Sequence, residues 1–224
     1  MKVVVRIGGS VLASPPDPVV INKYVSLLKD LKRQGHEVVA VVGGGSIARS
    51  FIRIAEEMGL SESEQDEIAI SVSRLIAQLL VKGLADLGSR VVPASIDEAV
   101  ELLKRGEVVV MGGLKPGMTT DAVAAMLAER LGADLLVKAT DQEGIYSKDP
   151  RKYPDAKKID VLSFDDLFRL FEEDRHRAGI HQVLDPEAVQ LLQKKRTRTI
   201  VVNGFNPENI SLAVRGEKIG TVIQ

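Results

Sequence analysis

Apolar positions along this chain fall into two kinds of run. Short blocks rich in valine and isoleucine alternate with longer stretches in which apolar residues recur every third or fourth position. Val38 to Val42 reads as a buried parallel strand, because a strand covered on both faces is apolar throughout, and Lys2 to Ile7 reads as a first strand. Val91 to Pro93 (short), Glu107 to Met111, Asp134 to Lys138, Thr199 to Val202 and Ile219 to Ile223 extend the series. Helical spacing predicts helices over 19–34, from Ser46 to Met58, and over 61–87, 97–104, 119–131, 164–173, 186–195 and 207–214. In the second of these, Ile47, Phe51, Ile54, Ala55 and Met58 recur at helical spacing; in the third, Ile68, Val72, Leu75, Ile76, Leu79 and Leu80 form the apolar side. Strands alternating with helices predict an α/β fold with a largely parallel sheet. No internal repeat, linker or low-complexity segment interrupts the 224 residues, so one domain is expected.

Composition narrows the function classes. Hydrophobic residues make up 45% and charged residues 27%, with a formal net charge of −1, so nothing in the balance draws the chain toward nucleic acid or membrane. No segment reads as a bilayer span, and Met1 leads directly into a strand-like stretch with nothing resembling a secretory leader, so the cytoplasm is expected. The absence of cysteine excludes disulfides, thiolate metal sites and cysteine nucleophiles. His36, His176 and His181 fall in no zinc-ligand spacing and are expected on exposed loops or helices.

The candidate chemistry lies where strands meet glycines. Strand ends are followed by Gly8-Gly9-Ser10, by Gly43-Gly44-Gly45 and by Gly112-Gly113 with Pro116-Gly117 behind it. Glycines between a strand and a helix let the backbone approach a ligand, and free N–H groups at a helix start attract an anion. Each loop alone could be a tight turn, with Ser46 or a threonine as N-cap. Three such loops on the carboxyl edge of a parallel sheet suggest a ligand with several phosphates, or two ligands. The dinucleotide fingerprint is not met, since Gly43 to Ala48 only approaches its variant form. A P-loop is not met either, because Met118 stands where the phosphate-binding lysine would be.

In order along the chain stand Ile7-Gly8-Gly9-Ser10-Val11-Leu12, Val42-Gly43-Gly44-Gly45, Met111-Gly112-Gly113, Pro116-Gly117, Thr119-Thr120-Asp121-Ala122 and Gly144-Ile145-Tyr146-Ser147, followed by Asp149-Pro150. Together these resemble the amino acid kinase family, and within it the archaeal-type uridylate kinases, over essentially the whole chain. The resemblance implies a three-layer αβα sandwich around a mainly parallel sheet. It also implies a first portion, 1–133, for the acceptor and subunit contacts, and a second, 134–224, for ATP. The expected reaction is transfer of phosphate from ATP to UMP with Mg²⁺, by a homohexamer built from dimers.

The same resemblance distributes roles. Gly9, Ser10, Gly45, Arg49, Thr140, Asp141, Tyr146 and Asp149 match ATP-binding positions. Gly44, Asp66, Arg74 and the loop Leu114, Lys115, Pro116, Gly117, Met118, Thr119 and Thr120 match UMP-binding positions. No protein ligand for a metal is expected. Arg49 lies in the first turn of its helix, where a cation opposes the dipole unless a phosphate is bound. Asp66 could pair with the dipole through an imperfect Ser63-x-x-Asp66 capping box, or could accept two ribose hydroxyls. Arg6 stands where many family members carry a lysine and is expected to be the cation on the transferring phosphoryl group; an end-of-strand charge with a structural partner is the alternative. Asp141 replaces the usual asparagine, and an anion there could weaken a phosphate contact or help hold Mg²⁺. Ile76 stands where family members often have asparagine. Tyr146 could stack on the nucleotide or belong to the core. Related kinases acting on isopentenyl phosphate, carbamate or a carboxylate, and a non-enzymatic anion-binding protein on the same scaffold, are the rival readings; the first is disfavoured because no histidine lies near Gly45-Ser46.

Overall fold

The computed structural model describes residues 1–175 and 183–224, without the side chains of 171–175. His176 and His181 therefore lie outside the described residues, while His36 is half-buried rather than exposed. The elements are β1 (Lys2–Ile7), α1 (Gly9–Leu12), α2 (Pro18–Arg33), β2 (Glu37–Val42), α3 (Gly45–Glu57), α4 (Glu62–Leu84) with a 3₁₀ turn at Ala85–Leu87, α5 (Ile96–Lys104), β3 (Val109–Met111), α6 (Thr120–Leu131), β4 (Leu135–Thr140), β5 (Ile145–Tyr146), β6 (Lys158–Ile159), β7 (Val161–Leu162), α7 (Phe164–Arg175), α8 (Pro186–Lys195), β8 (Thr199–Asn203), α9 (Glu208–Val214) and β9 (Thr221–Ile223).

Seven strands form one sheet in the order β3-β2-β1-β4-β8-β9-β7. All neighbours are parallel except β8 and β9, so the last two strands run against the rest. Alternate residues of each buried strand face opposite layers. Val3, Val5 and Ile7 pack with Tyr24, Leu28 and Leu31 of α2, Ile76 and Leu80 of α4, and Ile210 of α9. Val4 packs on the other side with Leu102 of α5, Val123 and Leu127 of α6, and Leu192 of α8. This is the three-layer αβα sandwich that the resemblance implies.

The chain leaves β1 for β2 and β3 on one side, then returns to place β4 on the other. Strand order thus reverses between β1 and β4, and ligands collect outside the carboxyl ends of strands at such a point. The ends of β1, β2, β3 and β4 share that edge, since Ile7 pairs with Val42 and Ala139, and Val41 with Met111.

Four expectations are corrected. Val91 to Pro93 is not a strand; the carbonyls of Val92 and Pro93 accept from the Arg74 guanidinium instead (2.9 and 2.8 Å). The segment 140–154, expected to be turns, contains β5, which forms an antiparallel ribbon with β6; two-residue strands are too short for a period to show. The stretch 62–87 is long and apolar enough to cross a membrane by length and composition, contrary to expectation. One side of α4 is buried, through Val72, Ile76 and Leu80, whereas Leu75 and Leu79 are exposed. In α3 the apolar stripe faces outward: Ala48 and Ala55 are buried, and Phe51, Ile54 and Met58 are exposed.

Candidate active site

A cavity of about 480 Å³ opens at the β1/β4 switch point. Its floor is set by strand alternation. Arg6 and Lys138 are register partners on β1 and β4 and share the α6 face of the sheet with Val4 and Leu136. Opposite them, Thr119 caps α6 by accepting the Ala122 N–H (3.0 Å), which brings Thr120 and Asp121 into the first turn. Arg6 donates through Nη2 to Thr120 Oγ1 (2.8 Å). Its Nε lies 2.6 Å from Asp121 Oδ1, an ion-pair contact without hydrogen-bond alignment. The Lys138 ammonium pairs with the other Asp121 oxygen.

One carboxylate between two cations fixes the charge states. Burial pushes the Asp121 carboxyl up, but Arg6 and Lys138 outweigh it and hold it below its ordinary value. Burial is the main force on Lys138, and with Arg6 beside it the ammonium is lowered to about 8 despite Asp121. A buried anion would be costly alone; here it carries two cations to the edge of a cavity.

Two glycine loops close one wall. Gly45 begins α3 with φ of +59°, and a Cβ there would lie 2.3 Å from the carbonyl oxygens of Ala13 and Gly9. A Cβ on Gly9 would lie 2.2 Å from Gly45 N. The loops are therefore in backbone-to-backbone contact, which only glycine permits. Among the described residues, the N–H groups of Gly9, Ser10, Gly44 and Gly45 have no intramolecular acceptor. Gly44 is the N-cap of α3, and Ser46, expected as a cap, instead donates its hydroxyl to Ala13 O (3.1 Å).

The third glycine pair has a different role. A Cβ on Gly112 would lie 2.7 Å from Arg74 N and Ser73 Oγ of α4, and the Gly113 N–H donates to Ser73 Oγ (2.8 Å). These glycines let α4 pack on the end of β3, and the Gly113 N–H is already engaged.

Of the residues expected from sequence, Arg6, Gly9, Ser10, Gly44, Gly45 and Arg49 line the cavity, as do Asp66, Lys115, Met118, Thr119, Thr120, Thr140 and Asp141. Asp66 is not a cap. Ser61 and Glu64 form the capping box of α4, and Asp66 accepts the Gly117 N–H (2.7 Å), holding the 114–120 loop. Leu114 packs into the α6 core, and Pro116 and Gly117 are not part of the cavity wall. Tyr146 lies in the β5–β6 ribbon, and buried Asp149 accepts the Arg151 N–H (3.0 Å); neither lines the cavity. Arg74 is committed to Val92 and Pro93, and its neighbour Ser73 faces the cavity instead.

Asp121, Lys138, Arg151, Ser73 and Gln142 also line the cavity but were not singled out as site residues. Arg6 and Lys138 carried a signal: each is a charge near the carboxyl end of a largely apolar strand run. Arg151 carried none, because it reaches the cavity only through the folded ribbon, where it pairs with Asp141. Five cationic side chains (Arg6, Arg49, Lys115, Lys138, Arg151) face three carboxylates (Asp66, Asp121, Asp141), an excess that suits phosphate groups.

An α/β scaffold with this cavity has known relatives. A profile described as the amino acid kinase family matches residues 1–203, so the chain belongs to the amino acid kinase family. It is 42% identical over 226 residues to a uridylate kinase of Methanocaldococcus jannaschii, covering 100% of both chains. It is 44% identical to a uridylate kinase of Halorubrum lacusprofundi, covering 99% of this chain and 92% of that one. A crystal structure of uridylate kinase from Archaeoglobus fulgidus superposes with a TM-score of 0.90 at 41% identity, covering 100% of both chains.

Proposed function

We propose that this chain phosphorylates UMP with ATP, giving UDP and ADP. The observation that carries the reading is that Gly9, Ser10, Gly45, Arg49, Thr140 and Asp141, which match ATP positions, and Gly44, Asp66, Lys115, Met118, Thr119 and Thr120, which match UMP positions, line one cavity around the Arg6–Asp121–Lys138 cluster. The full-length likeness to uridylate kinases supports the choice of acceptor.

In this reading the free N–H groups of Gly9, Ser10 and Gly45, with Arg49, hold the donor phosphates. Gly44, Lys115 and the start of α6 hold the acceptor phosphate, and Asp66 keeps the 114–120 loop in place. An oxygen of the UMP phosphate forms a bond to the γ-phosphorus as the bond from that phosphorus to the β,γ-bridging oxygen breaks. That nucleophile is already anionic, so no side chain need act as a base. Arg6 and Lys138 neutralise the charge that collects on the transferring group, from positions set in advance by Asp121. Mg²⁺ enters with the triphosphate as part of the substrate and neutralises its charge; the carboxylates at the cavity are tied to Gly117, to Arg6 and Lys138, and to Arg151, which fits an ion held mainly by phosphate oxygens.

The portion up to residue 133 then serves the acceptor and that from 134 the donor. Exposed Phe51, Ile54, Met58, Leu75 and Leu79 along α3, its C-cap and α4 support self-association, for which the family resemblance implies a homohexamer built as a trimer of dimers. Sedimentation or light scattering measures that state.

The deciding experiment supplies ATP, Mg²⁺ and a panel of acceptors and follows ADP. UMP-selective turnover is expected. Selective turnover of isopentenyl phosphate, carbamate or a small carboxylate, or no turnover, overturns the reading.

A further inference from the structure

We propose that Ser14, a loop residue outside the cavity wall, is a positioning residue that sets the spacing between donor and acceptor phosphates. The inference rests on the proposed function, in which the two glycine loops hold those phosphates.

The loops after β1 and β2 each present a pair of N–H groups with no acceptor among the described residues, at Gly9 and Ser10 and at Gly44 and Gly45. In-line transfer depends on how far the donor phosphates at Gly9 and Ser10 lie from the acceptor phosphate at Gly44, and small misplacements of reacting groups cost rate steeply. Two contacts keep the loops together. One is the glycine-on-glycine approach of Gly9 and Gly45, which limits how close they come but does not prevent separation. The other is a small hydrogen-bonded ring. The Ser14 hydroxyl donates to Gly9 O (3.1 Å) and accepts the Ser46 N–H (2.8 Å). The same Ser46 N–H also reaches Ala13 O (2.9 Å), to which the Ser46 hydroxyl donates (3.1 Å).

A hydroxyl suits this place because it gives one hydrogen bond and receives another on a single oxygen. Ser14 thereby joins a carbonyl of the first loop to an amide of the second. It also keeps the Ser46 N–H, in the first turn of α3, from pointing at a ligand, leaving Gly44 and Gly45 as the amides on offer. Ser14→Ala removes the bridge without removing the Ala13–Ser46 contacts, so α1 and α3 remain joined but less firmly spaced.

The test compares wild type, Ser14→Ala and Ser14→Thr by three measurements. Wild-type turnover of UMP with MgATP comes first; its absence means the proposed function fails, whatever Ser14 does. Given that turnover, Ser14→Ala is expected to lower kcat about fivefold, the worth of about one hydrogen bond, with both KM values within about twofold. By calorimetry, UMP alone is expected to bind Ser14→Ala as it binds wild type, while an adenosine–uridine oligophosphate that spans both loops binds about fivefold more weakly. Ser14→Thr, which keeps the hydroxyl, is expected to restore both kcat and spanning-ligand affinity. Unchanged kcat and spanning affinity in Ser14→Ala, equal weakening of UMP alone, or no rescue by threonine each overturns the proposal. So does a loss of activity that merely tracks a loss of folded protein in a thermal melt.

Discussion

The glycines at the ends of β1 and β2 and those at the end of β3 look alike in sequence and do different work. Gly9 and Gly45 pack backbone on backbone and leave N–H groups open to the cavity. Gly112 and Gly113 pack under a helix, and although Gly113 also lines the cavity, its N–H is taken by Ser73. The difference lies in the path the chain takes on leaving each strand. After β1 and β2 the chain enters a helix at once, so the amides at its start stay open. After β3 it runs through a loop to α6, and α4 crosses the glycines. A glycine pair at a strand end therefore indicates a close approach, and only the neighbour shows whether a ligand or a helix makes it.

The strongest way to break this comparison is Gly45→Ala. Its positive φ and the overlap with two carbonyl oxygens predict a loss of about 3 kcal/mol or more, with loss of both nucleotides' binding. A chemical melt and calorimetry would show it; near-normal stability would mean that the loops are not interlocked. Asp121→Ala comes next, at about 3 kcal/mol, because it strands Arg6 and Lys138 at buried positions. Its turnover is expected to fall much further than its affinity for UMP.

Gly112→Ala is expected to cost about 2 kcal/mol by pushing α4 off β3, since backbone cannot yield as a side-chain tip does. The folded fraction is expected to bind ATP normally, and weakened ATP binding at full folding would give this pair a ligand role. Ser73→Ala is the mildest, at about 1 kcal/mol for the orphaned Gly113 N–H, with no change in KM for ATP.

A pH profile sharpens the description of the cluster itself. Lys138 has its ammonium lowered from 10.5 to about 8, so it is mostly charged at neutral pH and loses that charge as pH rises through about 8. Turnover is expected to fall across that limb, and Lys138→Arg to move the limb upward. Stability runs the other way. Between about 8 and 10.5 the unfolded chain holds a proton that the folded chain has released, so this group's contribution to stability rises with pH. Parallel falls in both quantities would show that Lys138 is not buried beside Asp121.

Most of the architecture was legible because the strands of a doubly covered sheet are apolar runs and the long helices keep their period. The failures share a cause. The outward stripe of α3 and the exposed Leu75 and Leu79 obey helical spacing, and spacing alone does not say which side is covered. The β5–β6 ribbon is too short to have a pattern. In the site, Arg6, the motif glycines after β1 and β2, and Lys115, Met118, Thr119 and Thr120 before and at the start of α6 did reach the cavity. Arg74 did not, because carbonyls of an irregular loop nearby claimed its guanidinium.

By itself the sequence determined the alternation of strands and helices, the family, the glycine loops at strand ends and Arg6 as a candidate cation beside them. Each of these is local: a period, a spacing or a residue type that the backbone requires. Tertiary structure alone decided that Arg6 and Lys138 are register partners sharing Asp121, that Asp141 meets Arg151, and that Ser14 joins two loops 32 residues apart. Those pairings depend on strand order and helix packing, which bring together residues whose separation along the chain carries no sign of their contact.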